Sequence, residues 1–467
     1  ALACYCDSFA ATMELDTRAL ALLPLVLASL AMFLQPAVAT HGMPRPSGGF
    51  SLRLVPSAGW NSTMHVDNGG FLHPNEQAAT TALRPHVHGP RGLTYSVATT
   101  VGTGRGRRTY DLVLDTVSSL TWMQCLPIAH PFPQMPPPFN PEISTSFRRV
   151  PHGSDLCHKP SRGNDCEFRA TRLDGAHASG VLGTETFAFA DDGGRAAAAE
   201  VGGVVFGCAH TATGFHSHGV LAGVLGLGKL MPSLIWTRLR QHRQDGRFSY
   251  CLFGPTRPER HGFLRFGADV PATGHMKSTN ILYMRWTSPD FSAYFVKLLG
   301  VSVAGKRLAG PPGRRMSELF QRHKSGGRWY GGCLIDPGTG TTTMTQLAYN
   351  VLEHAVEEHV KRLGMPLVRR HGYRLCFSGA TQAAIPHLPT MTLHFEEGGE
   401  DDGDLVIRPQ QLFVFVQHDI CLAVVPSEHI TIIGAMQQVD TRFVYDITAG
   451  KIHFAPERCS DDTGGPN

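Results

Sequence analysis

A chain of 467 residues is too long for one small hydrophobic core, so two domains or a two-lobed fold are expected. Only 17% of the residues are charged and the formal net charge is +4. The basic stretches 105–108 and 238–247 read as solvated loops or helix faces, which argues against a nucleic-acid-binding protein. The 51 Gly and 32 Pro point to many turns between short strands, as in β-rich proteins.

In chain order, residues 1–12 precede Met13 and read as upstream sequence. Residues 13–39 carry Arg18, an apolar run from Ala19 to Leu34, and the small residues Ala37, Val38 and Ala39. That order is expected of a secretory signal cut after Ala39, and Pro24 argues against a retained membrane anchor. The mature protein is therefore expected to be free of the membrane and secreted, with a vacuole as the other destination. Secretion permits disulfides. Of eleven Cys, Cys4 and Cys6 lie before the signal, leaving an odd number, nine, and so at least one unpaired thiol. Cys157 and Cys166 are close enough to close a local loop. Asn61-Ser62-Thr63 is a glycosylation sequon.

Residues 40–92 show weak periodicity and read as a propeptide or linker, with Gly49–Val55 their one strand-like piece. Beyond Leu93, apolar strands alternate with Gly and Pro turns: Tyr95–Val101, Tyr110–Leu114, Val181–Phe189, Val201–Phe206, Phe263–Phe266 and Tyr294–Val303. The proline-heavy stretch Pro127–Pro141 cannot be regular sheet. A helix is predicted over Gln346–Leu363, with Leu347, Val351, Leu352, Ala355, Val356 and Val360 on one face. A second is predicted over Ser233–Leu239, capped by Ser233.

Two segments repeat one pattern. Leu112-Val113-Leu114 runs into Asp115-Thr116-Val117-Ser118, and Leu334-Ile335 runs into Asp336-Pro337-Gly338-Thr339. About a hundred residues after each comes an apolar pair followed by Gly: Val224-Leu225-Gly226 and Ile432-Ile433-Gly434. Asp with Ser or Thr in a turn is common on its own. The duplicated order argues for two similar lobes, each with an Asp turn crossed by a later strand.

With these segments the chain resembles the pepsin-like aspartic proteases, in their plant nepenthesin-like branch. Trp122-Met123-Gln124-Cys125, Phe206-Gly207-Cys208, Gly223–Gly228 and Arg247–Leu252 follow in the family's order. So do Cys421–Val424, Ile432–Gln438, Phe443–Asp446 and Phe454–Cys459. The resemblance covers residues 93–460. It implies a mainly β, bilobal pepsin-like fold with two β-barrel-like lobes, 93–285 and 286–460, a cleft between them, and a tail from 461.

It also implies the chemistry. Asp115 and Asp336 match the two catalytic carboxylates, which share a proton because two neighbouring charges cannot both form easily. Thr116, Ser118 and Thr339 match the hydroxyl residues that orient them, and Trp122 matches a tryptophan beside the flap. No metal and no cofactor are implied. The expected partner is a polypeptide in the cleft, and the expected state a monomer.

Three positions depart from the family. Val117 stands where the family has Gly, a stiff side chain where the backbone must come close to the carboxylates. Pro337 stands where the family has Ser or Thr, and it lacks both the hydroxyl and the N–H that tie the loops together. Arg172 stands where the family has the flap Tyr that bonds to the tryptophan. These changes are expected to weaken activity, since about 1 Å of misplacement can cost on the order of a hundredfold.

The expected function is therefore aspartic endopeptidase activity, impaired by the altered loops. The alternative is an inactive homologue acting as a binding protein or a glycosidase (xylanase) inhibitor, and an inert gene product is a third reading. Cys208 with His210, His216 and His218 has spacing that could suit a metal, but a half-cystine at 208 is the stronger reading. Asp401–Asp404 lacks the spacing of a calcium loop and reads as a solvated turn.

Overall fold

The strand leading to Asp115 is buried on both faces, as its unbroken Leu112-Val113-Leu114 run requires. In this computed structural model, residues 50–57, 94–157, 163–171, 176–189, 199–215, 219–229, 232–235, 246–254, 262–282, 293–325, 328–396, 403–416 and 418–459 are described. The expected signal, the Asn61 sequon, Arg172, and most of the predicted Ser233–Leu239 helix lie outside them. We label Phe50–Ser57 as β1, Thr94–Val101 as β2, Arg108–Asp115 as β3 and Thr121–Gln124 as β4.

Strand Leu221–Gly226 runs parallel to β3 and antiparallel to β4, so it threads between the two arms of the Asp115 turn. Its register sets Asp115 opposite Gly226. The second half repeats this. Thr431–Ile433 runs parallel to Cys333–Ile335 and antiparallel to Thr342–Thr345. Gly226 and Gly434 are glycine because the turn passes over them: a Cβ would sit 2.8 Å from the Leu120 carbonyl carbon in one and 2.6 Å from that of Thr341 in the other. Their amides are also bound alike, Gly226 N–H to Thr121 Oγ1 at 3.0 Å and Gly434 N–H to Thr342 Oγ1 at 2.9 Å.

The two halves share a sheet. β1 lies between β2 and Gly262–Phe266, which pairs in turn with Arg247–Cys251. That strand pairs with Thr441–Asp446, then come Lys451–Pro456 and Lys277–Leu282. Strands from both halves thus form one continuous floor, and the Cys251–Cys459 disulfide fastens it. The strand-like piece read at Gly49–Val55 is a working member of this floor, with Leu54 fully buried.

The predicted strands before residue 270 are present, mostly longer at their ends: His177–Phe189 pairs with Ala199–Thr213 over its whole length. The strand predicted over Tyr294–Val303 is instead two, Phe295–Val296 beside Cys333–Ile335 and Leu298–Val303 in a separate sheet with Met391–Phe395. The stretch Pro127–Pro141 forms no regular sheet: isolated bridges join Cys125 to Phe139 and His130 to Thr211, and Pro141 opens the 3-10 turn Pro141–Ile143. The predicted helix, α1, spans Gln346–Arg362 and buries Ala348, Tyr349, Leu352, Val356 and Val360. Leu347 was expected on that face but is exposed; the apolar stripe is turned so that Ala348 and Tyr349 take its place. Cys157–Cys166 is a disulfide, as are Cys125–Cys208 and Cys376–Cys421, while Cys333 is a buried free thiol.

Candidate active site

Each Asp sits at the end of an apolar strand, where the chain turns and presents backbone N–H groups to the carboxylate. In the first turn, Asp115 Oδ1 accepts from Val117 N–H at 2.7 Å and Ser118 N–H at 2.8 Å, and Ser118 Oγ donates to Oδ2 at 2.9 Å. In the second, Asp336 Oδ1 accepts from Gly338 N–H at 3.1 Å, and Thr339 Oγ1 donates to Oδ2 at 2.8 Å. Thr116 reaches across from the first turn. Its N–H and Oγ1 approach Asp336 Oδ1 at 3.0 and 3.1 Å, and its Oγ1 also donates to the Ile335 carbonyl at 2.9 Å. The structure therefore gathers Asp115 with Ser118, and Asp336 with Thr339 and Thr116, and the Asp115–Thr116 peptide joins the two sets.

The two carboxyls differ in setting. Asp115 is partly exposed, whereas Asp336 is only 3% exposed. Burial, then the neighbouring Asp115 charge, push the Asp336 carboxyl up to about 7, against hydrogen bonds from Thr116, Thr339 and Gly338 that favour its ionised form. A carboxyl raised this far keeps its proton in mild acid. The arrangement can thus hold one protonated and one ionised carboxyl side by side.

The family description "Xylanase inhibitor N-terminal" matches residues 95–268, and "Xylanase inhibitor C-terminal" matches residues 293–456. Over 373 residues the chain is 30% identical to "Aspartic proteinase nepenthesin-2" of Nepenthes gracilis, covering 77% of each chain. The chain belongs to the pepsin-like aspartic protease family, in its plant nepenthesin-like branch. It is 29% identical to "Aspartic proteinase nepenthesin-1" of the same plant over 394 residues, 81% of this chain and 83% of that one. "Aspartyl protease family protein 2" of Arabidopsis thaliana is 29% identical over 374 residues, 78% and 70% of the two chains. Among solved structures, "Crystal structure of edgp" matches with a TM-score of 0.64 at 17% identity, over 88% of this chain and 95% of that one. "Crystal structure of Basic 7S globulin from soybean" matches with a TM-score of 0.59 at 17% identity, over 79% and 95%. Both share the bilobal fold.

The two loop positions read from the sequence as departures, 117 and 337, have different surroundings. The Val117 side chain is half-buried against Ala293, Phe295, Leu334, Ile430 and Ile432, all from the second half of the chain. Its backbone keeps the bond to Asp115, so the valine is seated without turning the loop aside. Pro337 has no N–H and no hydroxyl, and Thr116 N–H points instead to Asp336 Oδ1. Trp122 is buried in an aromatic group, 4.9 Å from Phe215 and 6.4 Å from Phe132 between ring centroids. Cys208 is bonded to Cys125, so no thiolate stands at 208 to ligate a metal, and His216 and His218 lie outside the described residues.

Sequence reading passed over the residues beneath the turns. Tyr445 OH donates to the Ile335 carbonyl at 3.0 Å, and Tyr294 OH donates to the Leu227 carbonyl at 2.6 Å. Leu227 N–H in turn donates to the Asp115 carbonyl at 2.8 Å. Tyr445 lies in the Phe443–Asp446 motif, but a tyrosine in a buried strand looks like core until its hydroxyl has a partner.

Proposed function

We propose that this chain is an aspartic endopeptidase in which Asp336 carries the proton and Asp115 is the ionised base. The observation that carries the reading is the unequal burial of two neighbouring carboxyls, each held by donors of its own turn and the second also by Thr116. Asp115 is the more exposed of the two, and three donors fix its orientation. Asp336 is buried, where a proton is retained.

In the reaction, Asp115 takes a proton from a water as its oxygen attacks the scissile carbonyl. Asp336 donates its proton to the carbonyl oxygen, giving a neutral gem-diol. Collapse of that intermediate expels the amine, which takes up the proton from Asp115, and Asp336 recovers its own from the gem-diol. Ser118, Thr339 and Thr116 hold the carboxylates in register, and the substrate is an extended polypeptide bound in the cleft by a monomer. The order of residues read as a signal at 13–39 and the four disulfides among the described residues support a secreted or vacuolar destination. Among the described residues no helix is long and apolar enough to cross a membrane.

The test uses the purified mature protein on a denatured protein substrate over roughly pH 3–6, with and without a pepstatin-type inhibitor. Inhibitor-sensitive cleavage that disappears in Asp115→Asn is expected. The second reading, an inactive glycosidase inhibitor, draws on Pro337 and on the wording of the matched family descriptions. It predicts no cleavage even in Val117→Gly/Pro337→Ser, together with inhibition of an endoxylanase.

A further inference from the structure

We propose that Tyr445, backed by Tyr250 and Gln438, is a positioning residue for the Asp336 turn and takes over the tie that Pro337 cannot make. The proposal rests on the reading of Asp336 as a reacting group.

The Ile335 carbonyl directly precedes Asp336. It accepts from Thr116 Oγ1 at 2.9 Å and from Tyr445 OH at 3.0 Å. Thr116 has a single hydroxyl hydrogen, yet three acceptors lie within reach: the Ile335 carbonyl, Asp336 Oδ1 at 3.1 Å and the Tyr445 phenol oxygen. One hydrogen cannot serve them all at full strength. Tyr445 resolves this conflict. With the phenol on the Ile335 carbonyl, the Thr116 hydrogen is free to turn to the carboxylate.

The phenol is held where it must be. Tyr445 is fully buried, stacked on Phe248 at 4.6 Å with the rings 11° apart, and set edge-on to Tyr294 at 4.9 Å. Its strand pairs with Arg247–Cys251 in the shared sheet, so the ring cannot swing aside without breaking that floor. Burial pushes its hydroxyl far above the usual tyrosine range, so it remains a donor.

The support continues around the turn. Tyr250 OH donates to Gln438 Oε1 at 2.7 Å, and Gln438 Nε2 donates to the Ile433 carbonyl at 2.8 Å. The same carbonyl accepts from Asp336 N–H at 3.0 Å. The carbonyl before Asp336 and the acceptor of its own N–H are therefore both pinned by one buried group. The two phenol oxygens lie 3.3 Å apart, a bond that forms only when one of them leaves its nearer acceptor.

Tyr445→Phe removes the hydroxyl and keeps the ring. We expect kcat to fall about tenfold with KM within about twofold, since small misplacement acts on the reacting geometry rather than on binding. Hydrogen exchange over 333–340 should rise several-fold. Adding Pro337→Ser, which restores a hydroxyl and an N–H at the interface, should recover most of both losses. Tyr95→Phe is the control: it removes an equally buried phenol hydrogen bond, whose acceptor is the Phe253 carbonyl and no group of either turn. It should lower Tm comparably and leave kcat and exchange at 333–340 unchanged.

Wild-type kcat and exchange in Tyr445→Phe, equal effects from Tyr95→Phe, or no recovery with Pro337→Ser would each overturn the proposal. If the wild-type protein cleaves nothing, the protease reading is what has failed, and exchange at 333–340 alone decides the role of Tyr445. Should Tyr445→Phe not accumulate folded, Tyr250→Phe unties only Gln438 and is expected to speed exchange at Asp336 N–H; unchanged exchange there counts against the proposal.

Discussion

The two Asp turns share an architecture and differ at the residues around the carboxyl. In the first, Val117 carries a bulky side chain but donates its N–H to Asp115 as Gly338 does to Asp336. In the second, Gly338 is hemmed in: a Cβ there would lie 2.9 Å from the Leu114 carbonyl oxygen and 3.2 Å from Asp115 Cα and Cβ. Neither residue has a left-handed φ, so the glycine is required by close approach and not by backbone conformation. The matching position at 117 opens onto an apolar cluster instead. The teaching is that the pseudo-repeat constrains its two halves unequally. One half tolerates a side chain; the other lacks a donor and depends on Tyr445 and Thr116.

The largest effect should come from the carboxyls. Asp115→Asn and Asp336→Asn each remove a proton-transfer group, and cleavage is expected to fall on the order of a thousandfold. A residual rate near wild type in either would break the pairing of the two turns. Next comes Gly338→Ala, which puts a methyl group against Asp115. About a hundredfold loss in kcat is expected, with destabilisation of about 1–3 kcal/mol seen as a lowered Tm. An innocuous Gly338→Ala would show the turns to be equally permissive, contrary to the comparison.

The third effect is on stability. Asp336 is raised to about 7 in the folded protein against an ordinary value of 3.8. Folding therefore favours the proton on Asp336, and that stabilisation is fully present below the unfolded value. It is lost as pH rises through about 4 to about 7, because the unfolded chain releases its proton first. The loss is on the order of a few kcal/mol. Other carboxylates vary over the same range, so the measurement is the difference between wild type and Asp336→Asn in denaturant midpoint across that interval. A difference that stays flat with pH would mean that Asp336 is ionised throughout.

Much of this site was legible from residue order. The duplicated Leu-Asp and apolar-Gly segments put Ser118 beside Asp115 and Thr339 beside Asp336, because hydrogen bonding within a turn is local and leaves a local signature. Thr116 differs: its bonds reach a carboxylate 220 residues away, which no local pattern shows. Most strands were legible because their apolar runs are continuous. What stayed hidden depends on distant pairing. Tyr445 is 110 residues from Ile335, and only the shared sheet brings its hydroxyl to that carbonyl. Val117 showed as a departure in sequence, but its apolar seat comes from residues 293–432. Leu347 shows the opposite failure: an apolar residue on a helix stripe lies exposed because the stripe's centre is set by what α1 packs against.

The smallest effect is the most discriminating. Val117→Gly should leave the N–H bond to Asp115 in place and remove only the half-buried isopropyl group. A fully buried valine contributes about 1.5–3 kcal/mol, so a partly buried one should contribute about 1 kcal/mol, with added flexibility from the glycine. Activity should change little, because the carboxylate already has its donors and the side chain packs away into the second half. A crowded dyad behaves differently: removing the valine would relieve the crowding and raise kcat by an order of magnitude or more. Measuring Tm and kcat together separates the two cases. A lower Tm with unchanged kcat makes Val117 a packing residue between the halves, and it leaves Pro337 as the departure that governs how well the two turns are held together.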